Sequence, residues 1–100
     1  MLTIDASPDG ATLTFKPDGR FDGKIHREFQ DAFGLRAKPA SHYVVDFGRT
    51  DYIDSSGLGM LLKLRAHAGL DKTKVRLVNC SPEIKKILAI ANFHSLFTVA

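Results

Sequence analysis

Apolar residues recur along this chain with two different periods, and the switches between them mark its elements. Leu2-Thr3-Ile4 and Ala11-Thr12-Leu13-Thr14-Phe15 alternate apolar or small residues with polar ones, as half-buried strands do. Between them Ser7-Pro8-Asp9-Gly10 is a turn signal, because proline pre-sets φ and glycine can take φ > 0. The two runs therefore read as a hairpin, and a second Pro-Asp-Gly (Pro17, Asp18, Gly19) ends it. From Asp22, suited to an N-cap, the apolar positions become Ile25, Phe29 and Phe33. That spacing lays one stripe along a helix reaching about Ala37, with Pro39 stopping it.

Tyr43-Val44-Val45-Asp46-Phe47 is apolar throughout except at Asp46, the pattern of a strand covered on both faces. A short linker comes next. A second helix then starts at Asp54-Ser55-Ser56 and runs to Gly69, and Val75-Arg76-Leu77-Val78 is another strand. Ser81-Pro82-Glu83 opens a third helix, with serine at the N-cap and proline at the first helical position. Ile84, Ile87, Leu88 and Ala91 mark its buried face, and Asn92 can close it. Leu96-Phe97-Thr98-Val99 reads as a last strand. The order β-β-α-β-α-β-α-β predicts one α/β domain over residues 1–100, a mixed, mostly parallel sheet of about five strands with helices packed on it.

Bulk properties narrow the function. With 44% hydrophobic and 25% charged residues the composition is that of a soluble globular protein. The net charge is only +3, and its basic residues are scattered without interleaved aromatics, which disfavours nucleic acid as a partner. No apolar run approaches the roughly 20 residues of a membrane span, so no membrane insertion is expected. The start, Met1-Leu2-Thr3-Ile4-Asp5, lacks the features of a secretory signal. A lone cysteine, Cys80, cannot form an internal disulfide and fits a reducing compartment, so a cytoplasmic location is expected.

The chemistry concentrates in Asp54-Ser55-Ser56-Gly57-Leu58, where an extended run gives way to a helix. A nucleophile elbow is a poor fit: with Ser55 as nucleophile, position 53 is isoleucine, and with Ser56 both flanking positions fail. No histidine has a context that would make it a base, so no catalytic residue is assigned and the chain is expected not to be an enzyme. Gly57-Leu58-Gly59 lacks the third glycine of a dinucleotide fingerprint, and there is no phosphate loop, so no cofactor is expected. Cys80 has no second cysteine and no histidine pair has ligand spacing, so no metal is expected and Cys80 reads as a small core hydrophobe. Capping is the plain reading of Asp-Ser-Ser-Gly. Two serines beside an aspartate and two glycines exceed what a cap needs, and the glycines clear side chains from around the hydroxyls. A serine there is also a suitable acceptor for a phosphate.

Tyr52-Ile53-Asp54-Ser55-Ser56-Gly57-Leu58-Gly59 resembles the signature of the STAS domain family, specifically the bacterial anti-sigma-factor antagonists. Gly19-Arg20-Phe21-Asp22 is similar to the family's Gly-x-Leu/Phe-Asp before the first helix, Val44-Val45-Asp46-Phe47 to the strand leading into the switch, and Val78-Asn79-Cys80-Ser81-Pro82-Glu83-Ile84 to the fourth strand and third helix start. The resemblance implies a partner switch. The unphosphorylated protein binds an anti-sigma factor, commonly a GHKL-type serine kinase; the kinase phosphorylates it and it lets go; a PP2C-type serine phosphatase resets it. It further implies Ser55 as the phosphoacceptor, with Asp22, Asp54, Ser56, Gly57 and Leu58 in or near the partner surface. Alternatives within the family are a STAS subunit that contacts the ATPase of a lipid ABC transporter, and a stressosome-like scaffold. Many members carry a further C-terminal helix, so Phe97 and Val99 are expected to be less covered here, in a monomer or weak dimer.

Overall fold

The computed structural model describes residues 1–36 and 38–100. Strands β1 (Leu2–Ala6) and β2 (Thr12–Pro17) form the expected antiparallel hairpin, Leu2 opposite Pro17 and Ala6 opposite Leu13. Gly10, at φ 72°, supplies the left-handed residue of its turn. A three-residue strand, β3 (Gly19–Phe21), leads on to the first helix. Helix α1 (His26–Gly34) buries Phe29 and Phe33, with Ile25 just ahead of it in a 3-10 turn. It ends earlier than the apolar stripe suggested: the amide of Leu35 closes on the Asp31 carbonyl and Leu35 is exposed. Ala37, the expected end, lies outside the described residues.

Strand β4 (His42–Asp46) leads through a bend to β5 (Thr50–Ile53), then to α2 (Ser55–His67). Strand β6 (Val75–Val78), helix α3 (Pro82–Ile90) and strand β7 (Thr98–Val99) complete the chain. Ser81 caps α3, its Oγ accepting from the Ile84 amide at 3.2 Å, and Asn92 sits just past the helix in the left-handed region, as expected. The last strand is shorter than the apolar run, because Leu96 and Phe97 both donate to the Phe93 carbonyl and extend a turn.

The main sheet has the order β1-β2-β4-β6-β7, antiparallel only at the first pair. Each parallel crossover steps the same way across it, and right-handed crossovers then set all the helices on one face. Leu13, Phe15, Tyr43, Val45, Val75 and Leu77 are buried on that face. Their neighbours Thr12, Thr14 and Val44 are half-buried, and Lys16 and Arg76 are exposed. The expectation that β4 is covered on both faces is therefore corrected. Valine suits a pleated strand whether or not its side is fully covered, so its run overstated the burial.

The core is aromatic. Phe29 packs on Phe15 at 4.6 Å, Phe21 at 5.3 Å and Phe33 at 5.6 Å between ring centroids. Phe97 is only 1% exposed and stacks on Phe93, so the expectation of a poorly covered Phe97 is corrected, while Val99 is half-buried. No helix among the described residues is long and apolar enough to cross a membrane.

The short strands β3 and β5 went unforeseen. They pair in parallel with each other as a separate two-stranded ribbon. The ribbon continues β2 and β4 past bends, held by Gly19 N to the Arg49 carbonyl (2.9 Å) and the buried Thr50 Oγ1 to the Pro17 carbonyl (2.8 Å). It carries both chain segments to the same end of the molecule.

Candidate functional site

Phe21 stands beside Ile53 in the ribbon, so Asp22 and Asp54 leave it side by side. Both are extended, and each caps the helical turn after it. Asp22 Oδ1 accepts from the Lys24 amide at 3.0 Å; Asp54 Oδ1 accepts from the Gly57 amide at 2.9 Å. The cap of α2 is thus the aspartate, and the serines take no part in it. Among the described residues neither the Ser55 nor the Ser56 hydroxyl makes a hydrogen bond, and both residues are exposed. The surplus of hydroxyls noted in the sequence is real: no structural task occupies them.

The two glycines of the motif do different jobs. A β-carbon on Gly57 would run into the Phe21 carbonyl oxygen and stand 2.9 Å from side-chain atoms of Ile53 and Phe21. Only glycine lets α2 start this close to β3. At Gly59 an added β-carbon would meet nothing within 4 Å.

Ser55 and Ser56 also face different surroundings. Ser55 lies on the rim of a groove of about 260 Å³ between α2 and α3, lined by Tyr52, Ile53, Asp54, Leu58, Ile87, Ile90 and Ala91. That lining is apolar apart from Asp54 and the Tyr52 hydroxyl, and Ile90 is 79% exposed at its edge. Ser56 lines a cleft of about 380 Å³ between the starts of α1 and α2, with Gly23, His26, Gly59, Met60 and Lys63. Beside Asp22, the Arg20 Nε approaches Asp22 Oδ2 at 3.5 Å while its guanidinium lies 4.6 Å over the Tyr52 ring. A larger hollow, about 480 Å³, sits elsewhere, lined by Asp46, Arg49 and Asn79 among others, and contains none of these residues.

The structure thus brings Asp22, Asp54, Ser55, Ser56, Gly57 and Leu58 together at one end of the molecule. Gly57 is buried as packing and Leu58 half-buried as a groove wall. Sequence reasoning gave no site role to Arg20 or Tyr52, though both lie in the motifs, took Ile87 only as a buried position, and did not single out Gly23, His26, Lys63 or Ile90. The helical spacing from Ser56 to Lys63 could have flagged Lys63; the rest depend on which elements meet. Cys80 is half-buried against the core, and burial pushes its thiol pKa up, with Asp46 adding to this and Lys85 opposing it. No cluster of three or more His, Cys, Asp or Glu suited to a metal lies among the described residues.

A family sequence model described as "Mlab, STAS domain" matches residues 4–98. The chain belongs to the STAS domain family. A STAS-domain containing protein of Pseudomonas aeruginosa is 48% identical to it over 99 residues, covering 99% of this chain and 98% of that one. Among solved structures, this STAS domain is similar to the anti-sigma factor antagonist SpoIIAA in its unphosphorylated form. The TM-score is 0.71 at 19% identity, over 100% of this chain and 87% of that one. The phosphorylated form of Bacillus SpoIIAA gives 0.69 at 19% identity, over 100% and 91%. A sulfate transporter family protein of Wolinella succinogenes gives 0.79 at 14% identity, over 95% and 79%. At these identities the structures share the fold with this chain.

Proposed function

We propose that this STAS domain is an anti-sigma-factor antagonist in a partner-switching pathway, with Ser55 as its phosphoacceptor. Unphosphorylated, it binds an anti-sigma factor or GHKL-type serine kinase across the α2–α3 groove; phosphorylation of Ser55 releases that partner, and a PP2C-type phosphatase restores binding. The observation that carries this reading is the state of Ser55: an exposed hydroxyl, free of hydrogen bonds among the described residues, on the rim of an apolar groove.

The energetics agree with release by repulsion. A phosphate adds about −1.5 to −2 charge. At the start of α2 such a charge is favourable by about 0.3–1 kcal/mol, so the fold survives. Beneath a docked partner the same group is desolvated next to Asp54, in a groove whose own lining holds no cation, Arg20 being engaged by Asp22 and the ring of Tyr52. That burial costs several kcal/mol, and about 1.4 kcal/mol is a tenfold change in affinity. The switch therefore needs no refolding of α2.

Tagged wild type, Ser55→Ala and Ser55→Asp, each used to recover partners from extract of the source cells with identification by mass spectrometry, test this. Wild type and Ser55→Ala recover a serine kinase of the GHKL class, and Ser55→Asp loses it. If Ser55→Asp retains the same partners, the mechanism is wrong. Recovery of an ABC ATPase, or of a large homotypic assembly, would replace the antagonist reading with the transporter or scaffold one.

A further inference from the structure

The second serine of the motif faces its own chemistry. Ser56 opens onto the α1–α2 cleft, and Lys63, two turns further along α2, stands on the same side of the helix. Lys63 Nζ reaches across the cleft to His26 Nε2 at 2.8 Å. An ammonium has only donors, so in this contact Lys63 Nζ donates. Among the described residues no carboxylate lies within ion-pair distance of Lys63. The cleft therefore holds a cation with no anion to meet it.

Gly59 also lines that cleft. Glycine inside a helix costs roughly 0.5–1 kcal/mol relative to alanine, and packing does not ask for it, since a β-carbon at 59 meets nothing within 4 Å. Its position between Ser56 and Lys63 leaves the space above α2 clear from one to the other. Gly23 does the same from the α1 side, where an added β-carbon would stand 3.6 Å from Ser56 Oγ.

We propose that Ser56 is a second phosphoacceptor, whose phosphate is held within the chain by Lys63, in the α1–α2 cleft that His26 also lines. The γ-phosphoryl group of a nucleoside triphosphate passes to Ser56 Oγ: its bond to the bridging oxygen breaks, the Oγ–P bond forms, the hydroxyl proton goes to the kinase's base and the diphosphate leaves. Lys63 then turns from the imidazole to a dianion. The adjacent serines thereby differ in consequence: a phosphate on Ser55 stands on the docking rim beside Asp54, whereas one on Ser56 is answered by Lys63. This rests on the proposed reading that a serine kinase engages this end of the molecule.

The test needs no partner, so its failure is distinct from failure of the antagonist reading. Full-length protein is made with phosphoserine installed at 55 or at 56, and the phosphate is titrated by 31P NMR. A free phosphoserine has its second ionisation near about pH 6. At 56 the midpoint is expected to fall by about half a unit or more and to return in the Lys63→Met variant. At 55, beside Asp54, it does not fall with Lys63. Equal midpoints at both positions, or no response to Lys63→Met, overturn the proposal. Occupancy is read on protein from its native cells, in the tryptic peptide of residues 50–63, by fragmentation between the two serines. Phosphate found at 56 supports the assignment. Phosphate confined to 55 overturns it.

Discussion

The carbonyl oxygen of Phe21 occupies the space that a β-carbon on Gly57 would need. A strand end and a helix start are thereby pressed together, backbone on backbone, where no flexible side chain can yield. Gly57→Ala is expected to destabilise the protein by about 1–3 kcal/mol or more, as overpacking does. Gly59→Ala, two residues on, removes only the intrinsic cost of glycine in a helix and is expected to stabilise by about 0.4–1 kcal/mol. Urea unfolding of the pair measures both, and equal effects would show that the contact is not tight.

Asp54 and its neighbouring serines divide cap and hydroxyl functions. Asp54→Ala removes an acceptor from the Gly57 amide and is expected to cost about 1 kcal/mol. Ser55→Ala and Ser56→Ala remove no hydrogen bond among the described residues and are expected to change stability by less than about 0.5 kcal/mol. Thermal melts of the three variants are the check. A large loss at either serine would mean that its hydroxyl has a structural partner.

Phe29 is the ring on which three other phenylalanines converge. Phe29→Ala is expected to cost about 3–5 kcal/mol, a large part of the stability of a domain this size. Guanidinium unfolding and the dispersion of NMR methyl signals would report the loss.

Cys80 offers a pH test. Burial raises its folded-state pKa above that of an exposed thiol, so the neutral form is the one the fold favours. This small contribution to stability is therefore fully present below the unfolded-state pKa and is lost as pH rises through the folded value. Alkylation rates measured from pH 7 to 10 should show a midpoint above that of the urea-unfolded chain. A midpoint at or below the unfolded one would contradict the burial.

The order of elements in the main sheet was legible because each carries a strong local signal: alternation in the hairpin, the Ile25-Phe29-Phe33 stripe, and serine with proline at the start of α3. What stayed hidden depends on contacts distant in sequence. The β3–β5 ribbon is built from Gly-Arg-Phe and Thr-Asp-Tyr-Ile, runs too short and polar to announce strands. Its pairing is what sets Asp22 beside Asp54. The motif itself marked Asp54, Ser55, Ser56 and Gly57, but not which residue caps. A carboxylate and two hydroxyls can all serve, and backbone geometry chose the first. That Ser55 turns to α3 and Ser56 to α1 comes from the place of α2, packed on α1 on one side and facing α3 across a groove on the other.

With every helix set on one side of the sheet, the opposite side becomes a rear surface, where Lys16 and Arg76 reach into solvent. A dye or an immobilising tether placed at position 76 would sit across the thickness of the sheet from the helix starts. The protein can then be held from behind while the end bearing both serines stays open, the orientation that any kinetic measurement of its encounters requires.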